Sequence, residues 1–289
     1  MQSESDTAGM EIKMSYKKIL TIQDISCVGQ CSLTVALPIL SACGVETCIL
    51  PSAILSTHTA GFSGYTFRDL TDDMPDIQKH WQKENIRFSA IYTGYLGSTK
   101  QIAYVKDILD TMGEADCVRV IDPAMGDNGR LYPAFDGEYV EAMKGLCASA
   151  DILVPNITEA CFLADVEYKE TYDESYIKTL LEKLCTLGAK KVVLTGVGYK
   201  PNKTGVVVYE DEKISYYEHD RISKGCHGTG DVYASAFTGA LMNGKNIFDA
   251  AKIAADYTVK CIENTIGDAD HWYGAKFETA LRDLMDMLS

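Results

Sequence analysis

No apolar run in this 289-residue chain is long enough to cross a membrane: stretches such as Val35–Leu40 last only a few residues, against about 20 for a spanning helix. Residues 1–15 are polar and lack the apolar region of a secretory leader. Positive charge is scarce. Lys and Arg number 27 against 41 Asp and Glu, a net charge of −14. So acidic a surface repels phosphate backbones and anionic headgroups. The expectation is a protein with neither a nucleic-acid nor a membrane partner.

Cysteine is plentiful, at ten, but its arrangement excludes two classes. There is no Cys-x-x-Cys and no paired Cys/His spacing of the zinc type. The thiols are spread among apolar segments, which argues against a disulfide scaffold and for buried thiols in a reducing cytoplasm. Several nucleotide and hydrolase motifs are also missing. The stretch Gly198–Thr204 has Lys203 where a phosphate loop needs its second glycine, and Gly196-Val-Gly198 has Pro201 in place of a third glycine. His-Glu-x-x-His and Gly-x-Ser-x-Gly do not occur.

Hydrophobic residues make up 46% and charged residues 24%, enough for a sizeable core in one α/β domain. No composition break or fixed-period repeat divides the chain, so residues 16–289 read as one domain behind a flexible tail at 1–15, with Met14 an alternative start. Short strands are expected at Lys18–Ile22, Val45–Pro51, Ala90–Thr93, Val118–Ile121, Ile152–Val154 and Lys191–Thr195. Helices are expected at Ser32–Ala42 (kinked at Pro38), Ile77–Glu84, Gln101–Met112, Gly137–Ala148, Glu174–Leu187, Val232–Asn243, Ile247–Asn264 and Phe277–Leu288. A hairpin is expected around Glu210–Lys213. This alternation predicts a mostly parallel central sheet with helices on both faces, and ligands outside the carboxyl ends of its strands.

The informative segment is Lys224-Gly-Cys-His-Gly-Thr-Gly-Asp231, followed by a run rich in Ala, Ser and Gly. Glycines let backbone N–H groups approach an anion, and a helix N-terminus adds about half a positive charge. Gly228, Thr229 and Gly230 therefore read as an anion hole, with Asp231 at its mouth. Asp is also a favoured helix cap. However, a surface helix does not need Ala234, Ser235, Ala236, Gly239 and Ala240 in close order. A centrally buried helix does, and its N-terminus would point into a site.

Gly228-Thr-Gly-Asp231 resembles the signature of the ribokinase-like superfamily of small-molecule kinases. Further matches, in order along the chain, resemble its pyridoxal kinase branch: Ile19-Leu-Thr-Ile-Gln23, Ser56-Thr-His-Thr59, Thr93-Gly-Tyr95, Asp122-Pro-Ala-Met-Gly-Asp127, Pro155-Asn-x-x-Glu159 and Val193-Leu-Thr-Gly196. The resemblance implies an α/β ribokinase-like fold and ATP-dependent phosphorylation of the 5′-hydroxymethyl group of pyridoxal, pyridoxine or pyridoxamine. It implies Asp231 as the base and Gly228–Gly230 as the cradle of the transferring phosphoryl group. Asp24, Ser26, His58, Thr59 and Tyr95 would bind the vitamer. Asp122, Asn156, Thr195 and Gly196 would bind nucleotide, and Asp122, Asp127 and Glu159 would hold Mg²⁺, alongside a monovalent cation such as K⁺. It further implies a cytoplasmic homodimer.

The chain departs from that branch at Asp24, where the common pattern has Ser. Asp24-Ile-Ser26 with Gly29 resembles instead a turn of hydroxymethylpyrimidine kinases, although the glutamine expected in that family's loop is absent from Ser56–Gly61 and its frequent Gly-x-Gly-Cys is Gly-Thr-Gly-Asp here. An acidic group at 24 suits a protonated ring nitrogen or an amine. The alternatives are thus a hydroxymethylpyrimidine kinase of thiamine synthesis, an inactive vitamer-binding protein, and a sugar kinase, for whose lid the stretch after residue 45 leaves little room. His80, His219 and His271 read as surface residues, and Cys226 and His227 receive no role.

Overall fold

Apolar strand runs and amphipathic helices alternate in the order β1 (Lys18–Ser26), α1 (Leu33–Ala42), β2 (Glu46–Leu55), β3 (Phe67–Asp69), α2 (Met74–Lys83), β4 (Phe88–Thr93), α3 (Thr99–Thr111) and β5 (Gly113–Ile121). There follow β6 (Gly126–Asp127), β7 (Arg130–Leu131), α4 (Gly137–Cys147), β8 (Ile152–Leu153), α5 (Ile157–Ala164), α6 (Glu174–Thr186) and β9 (Lys191–Thr195). The chain ends with β10 (Lys203–Glu210), β11 (Lys213–Asp220), α7 (Thr229–Met242), α8 (Ile247–Thr265), a 3-10 turn (Phe277–Ala280) and α9 (Leu281–Leu288). The computed structural model of the chain describes residues 16–222 and 226–289; the tail expected at 1–15, and Lys224 and Gly225 of the glycine-rich segment, lie outside the described residues.

Among the described residues, nine strands form one sheet in the order β11-β10-β9-β8-β5-β4-β1-β2-β3. Pairing is parallel from β2 through β1, β4, β5 and β8 to β9. β3 on one edge and β10 and β11 on the other are antiparallel. This is the expected α/β architecture. Successive residues along each strand enter opposite cores. Leu20, Ile91, Ile121, Leu153 and Leu194 pack with the layer of α3 to α6. Ile19, Tyr92, Val120, Ile152 and Val193 pack with α1, α7 and α8. Burial on both faces explains why the strands read as continuous apolar runs rather than alternating ones. Cys147 and Cys161 lie in the first core and Cys43 and Cys261 in the second, all four as free thiols.

Some elements differ from the sequence expectation. β3 and α5 were not expected, nor was the β6–β7 hairpin, whose turn places Asn128 and Gly129 at φ +51° and +74°, the Asn-Gly geometry that matches strand twist. α1 continues through Pro38. α7 begins at Thr229, three residues before the expected start, which places Asp231 inside its first turn.

The small residues of α7 serve the burial they predicted: Ala234, Ser235, Ala236, Gly239 and Ala240 are all buried. Gly239 fits against α1, where a Cβ would stand 2.4 Å from Cys43 Sγ. Gly239→Ala is therefore expected to lower the melting temperature on calorimetry. Helix propensity favours alanine by roughly 1 kcal/mol, but overpacking a close seam costs about 1–3 kcal/mol. A raised melting temperature would show that α1 and α7 separate freely here.

Candidate active site

The chain leaves β1 to form β2 on one side and returns to form β4 on the other. The crevice between β1 and β4, at their carboxyl ends, is thus the topological switch point where parallel sheets bind ligands. Asp24 and Ser26 lie at the end of β1, Tyr95 follows β4, Asp122 follows β5, Asn156 follows β8, and Thr195 closes β9 with Gly196 next. The N-terminus of α7 enters at the same edge. There the Asp231 carboxylate faces those of Asp24 and Asp122 closely enough for repulsion between them.

Gly228 caps α7 in the left-handed conformation (φ +75°) and offers no side chain to the helix's first N–H groups. Its Cα is packed so tightly that a Cβ would lie 1.8 Å from the Gln30 carbonyl oxygen, so only glycine fits. Thr229, Gly230 and Asp231 follow as the first turn, the part of a helix whose N–H groups lack intrahelical acceptors. Asp231 keeps a partly accessible surface, but its carboxyl is sunk deep enough that burial pushes its pKa up to about 7. The Ser32 N–H opposes this shift and the Asp24 charge adds to it.

Ser32 connects the two acids. It is buried and holds φ +56°, ψ −132°, a conformation L-residues rarely adopt. Its N–H serves Asp231 and its hydroxyl serves Asp24. An isolated bridge to Ile25 closes the chain reversal that brings it there. Burial raises the pKa of Asp24, against the pull of the Ser32 and Ser26 hydroxyls, the latter donating at 3.1 Å. Tyr95 is partly buried beside Asp24, its hydroxyl pushed up to about 12 mainly by burial, and its ring lies 5.4 Å from that of Phe135.

His58 is buried, and both its ring nitrogens are occupied within the protein. Nδ1 accepts from the Ala60 N–H at 3.2 Å, so Nε2 carries the proton and donates to the Tyr273 carbonyl at 2.7 Å. The ring fills the space beside Gly29, where a Cβ would come within 2.1 Å of it. Thr59 beside it is exposed. His58 thus shapes the loop after β2, while Asp24, Ser26 and Tyr95 supply the polar and aromatic wall.

On the other side of the crevice, Asn156 and Glu159 form a capping box on α5. Asn156 Oδ1 accepts from the Glu159 N–H at 3.0 Å, and Glu159 Oε2 accepts from the Asn156 N–H at 2.8 Å. Glu159 Oε1 accepts from the Met125 N–H at 3.2 Å, and Asn156 Nδ2 donates to the Gly126 carbonyl at 2.9 Å. These bonds tie α5 to the Asp122–Asp127 loop. Burial raises the pKa of both Asp122 and Glu159, and the Glu159 and Asp231 charges raise Asp122 further. Asp127 is exposed and accepts from the backbone and side chain of Asn128. Thr195 bridges to Asn156, and exposed Gly196 turns at φ +76°.

Three residues at the site take places that the sequence analysis assigned to none of them. Ser32 is a backbone outlier that only coordinates reveal. Tyr132 stands where the charges of Glu159, Asp122, Asp127 and Asp231 all reach its hydroxyl, whose pKa burial and those charges raise. His271, expected on the surface, is partly buried, and its Nε2 lies 2.8 Å from Gln30 Oε1, 241 positions away in sequence.

The arrangement sets a helix N-terminus and a buried carboxylate beside a cluster of polar side chains. The chain as a whole is similar to known proteins at several distances. A Bacteroides thetaiotaomicron protein provisionally assigned as a phosphomethylpyrimidine kinase is 39% identical, with a TM-score of 0.90 over 96% of both chains; one of its crystal forms was solved with pyridoxal. Pyridoxal kinase from Lactobacillus plantarum is 29% identical, with a TM-score of 0.88 over 94% of this chain and 98% of that one. The hydroxymethylpyrimidine/phosphomethylpyrimidine kinase of Bacillus subtilis is 25% identical over 88% of this chain and 92% of its own. The sequence profile described as phosphomethylpyrimidine kinase matches residues 37–274, and with its ribokinase-like fold this chain belongs to that family of kinases.

Proposed function

We propose that this kinase transfers the γ-phosphoryl group of ATP to the 5′-hydroxymethyl group of a pyridoxal-type vitamer. The observation that carries the reading is Asp231, held in the first turn of α7 with its pKa raised towards neutrality by burial. The pyridoxal bound to the 39%-identical Bacteroides protein supports the pyridine ring as the substrate class.

The substrate hydroxyl donates to the Asp231 carboxylate. An alcohol resembles water, near 16, so about nine units still separate it from Asp231, and no alkoxide forms in advance. The proton moves late, as the hydroxyl oxygen bonds to the γ-phosphorus and the bond to the β-phosphate's bridging oxygen breaks. The N–H groups of the first turn of α7 receive the charge spread over the transferring oxygens. Asp24 and Ser26 hold the polar ring substituents against Tyr95. Asn156, Thr195 and Gly196 line the nucleotide side.

Magnesium suits this donor set only in part. No group of three His, Cys, Asp or Glu side chains among the described residues forms a cage. A nucleotide-bound ion needs only one or two carboxylates, because phosphates and water supply the rest. Asp122, which has no ion-pair partner among the described residues, would hold it, while Glu159 keeps its oxygens on the backbone. The ion would neutralise phosphate charge.

A second reading, phosphorylation of a hydroxymethylpyrimidine, is favoured by the family profile and the Bacillus subtilis relative. ATP consumption over pyridoxal, pyridoxine, pyridoxamine and hydroxymethylpyrimidine separates the two. Turnover is expected on the pyridine vitamers, and Asp231→Asn should lose about 10²–10⁴-fold in kcat. Vitamer binding without turnover would leave a binding protein.

The base must be ionised to accept the proton. kcat/KM for the vitamer is therefore expected to fall as pH drops through about 7, the Asp231 value in the free protein. A limb near pH 4 instead would show that Asp231 is solvated or is not the base.

Asp24→Asn keeps the shape and removes the charge. It should lower kcat/KM for a substrate with a protonated ring nitrogen or amine by about tenfold, the scale of one charge-assisted hydrogen bond, and leave the KM for ATP unchanged. Equal losses for both substrates would place Asp24 outside the vitamer pocket.

A further inference from the structure

The segment between α8 and the 3-10 turn, Asp268–Lys276, holds residues far apart in sequence. His271 Nε2 lies 2.8 Å from Gln30 Oε1, and the Gln30 amide nitrogen donates to both carboxylate oxygens of Glu278 at 2.7 and 2.8 Å. The amide nitrogen is thus the donor towards Glu278 and Oε1 the acceptor, so His271 donates. Two residues on, the Tyr273 carbonyl accepts a hydrogen bond from His58 Nε2–H at 2.7 Å. Between them, Trp272 packs on Phe62 with ring centroids 4.6 Å apart and lies so close to Gly61 that a Cβ there would be 2.7 Å away. Gly274 backs onto the Gln30 side chain, where a Cβ would meet Gln30 Cβ at 2.5 Å.

One short segment therefore grips two loops. Gln30 belongs to the loop after β1, which starts beyond Asp24 and Ser26 and ends at Ser32. His58, Gly61 and Phe62 belong to the loop after β2. Both border the acceptor side of the crevice. The nucleotide-side candidates Asn156, Thr195 and Gly196 follow β8 and β9, three and four strands from β1 in the sheet order, and none of the contacts above reaches them. The geometry points to Asp268–Glu278 as a strap that positions the organic acceptor, with His271 as a positioning residue acting through Gln30 and Trp272 acting through Phe62.

This inference rests on the kinase reading only for its kinetic arm. His271→Ala, His271→Gln and, at an exposed position, Trp272→Ala are compared with the full-length wild type. The assays measure KM for pyridoxal and for ATP, and deuterium uptake by the ligand-free proteins. His271→Ala and Trp272→Ala are expected to raise KM for pyridoxal about fivefold to tenfold, the worth of one lost contact of this kind. KM for ATP should stay within about twofold. Uptake should rise across 27–31 and 56–62 and stay unchanged at 154–159. His271→Gln, which keeps a donor, should restore most of the loss.

Equal changes in both KM values, or unchanged uptake in the two loops, would overturn the strap. Lack of wild-type turnover on pyridoxal would defeat the pyridoxal reading alone, and uptake would then decide the strap by itself.

Discussion

Four carboxylates converge on one edge of the sheet with no Lys or Arg paired to them among the described residues, and most of the site's architecture manages that crowding. Asp24, Asp122, Glu159 and Asp231 all have raised pKa values, with burial the largest cause in each case. A buried carboxylate without a cation must be met by hydrogen-bond donors or must take up a proton. Here the donors are largely backbone: the Ser32 N–H for Asp231, and the Met125 and Asn156 N–H groups for Glu159. Those donors are available because the loops after β1, β5 and β8 are held at fixed angles. Positive charge placed among these carboxylates would favour their ionised forms.

The chain's overall acidity has the same local meaning. A net charge of −14 is unhelpful for collecting a polyanionic nucleotide by long-range attraction. Under the proposed function, recognition of phosphate falls to short-range devices, the first turn of α7 above all, where oriented N–H groups act regardless of net charge. Tyrosines serve a related purpose. Tyr95 and Tyr132 bring polar hydroxyls and apolar rings to the crevice without adding charge at neutral pH, their hydroxyls being pushed well above it.

The parallel sheet, its two helical layers and the central α7 were legible in the sequence because burial on both faces writes itself as β-branched runs and small-residue helices. β3 was not, because its three residues are all exposed and a single apolar side chain, Phe67, sets no alternating pattern. α5 was hidden by its own caps: Asn156 and Glu159 stand at capping-box spacing, and a motif reading assigned them to ligands. The structure shows them capping the helix, and that bonding sets the loop in which Asp122 and Asp127 sit. The acidic residues of the site were legible as residue types at strand ends. Ser32 and His271 were not, since one depends on a backbone conformation and the other on contact across more than 200 positions.

Ser32 has a wider consequence. It begins α1, holds a sparsely populated backbone conformation that costs about 1–3 kcal/mol, and presents one donor to each of two acids. Helix α1 is also seated on α7 through the Gly239–Cys43 contact. The residue that starts α1 therefore holds the acid in the first turn of α7, while the Gly239–Cys43 contact seats the same two helices at their other ends. A change that let Ser32 relax its backbone would withdraw a donor from both acids at once.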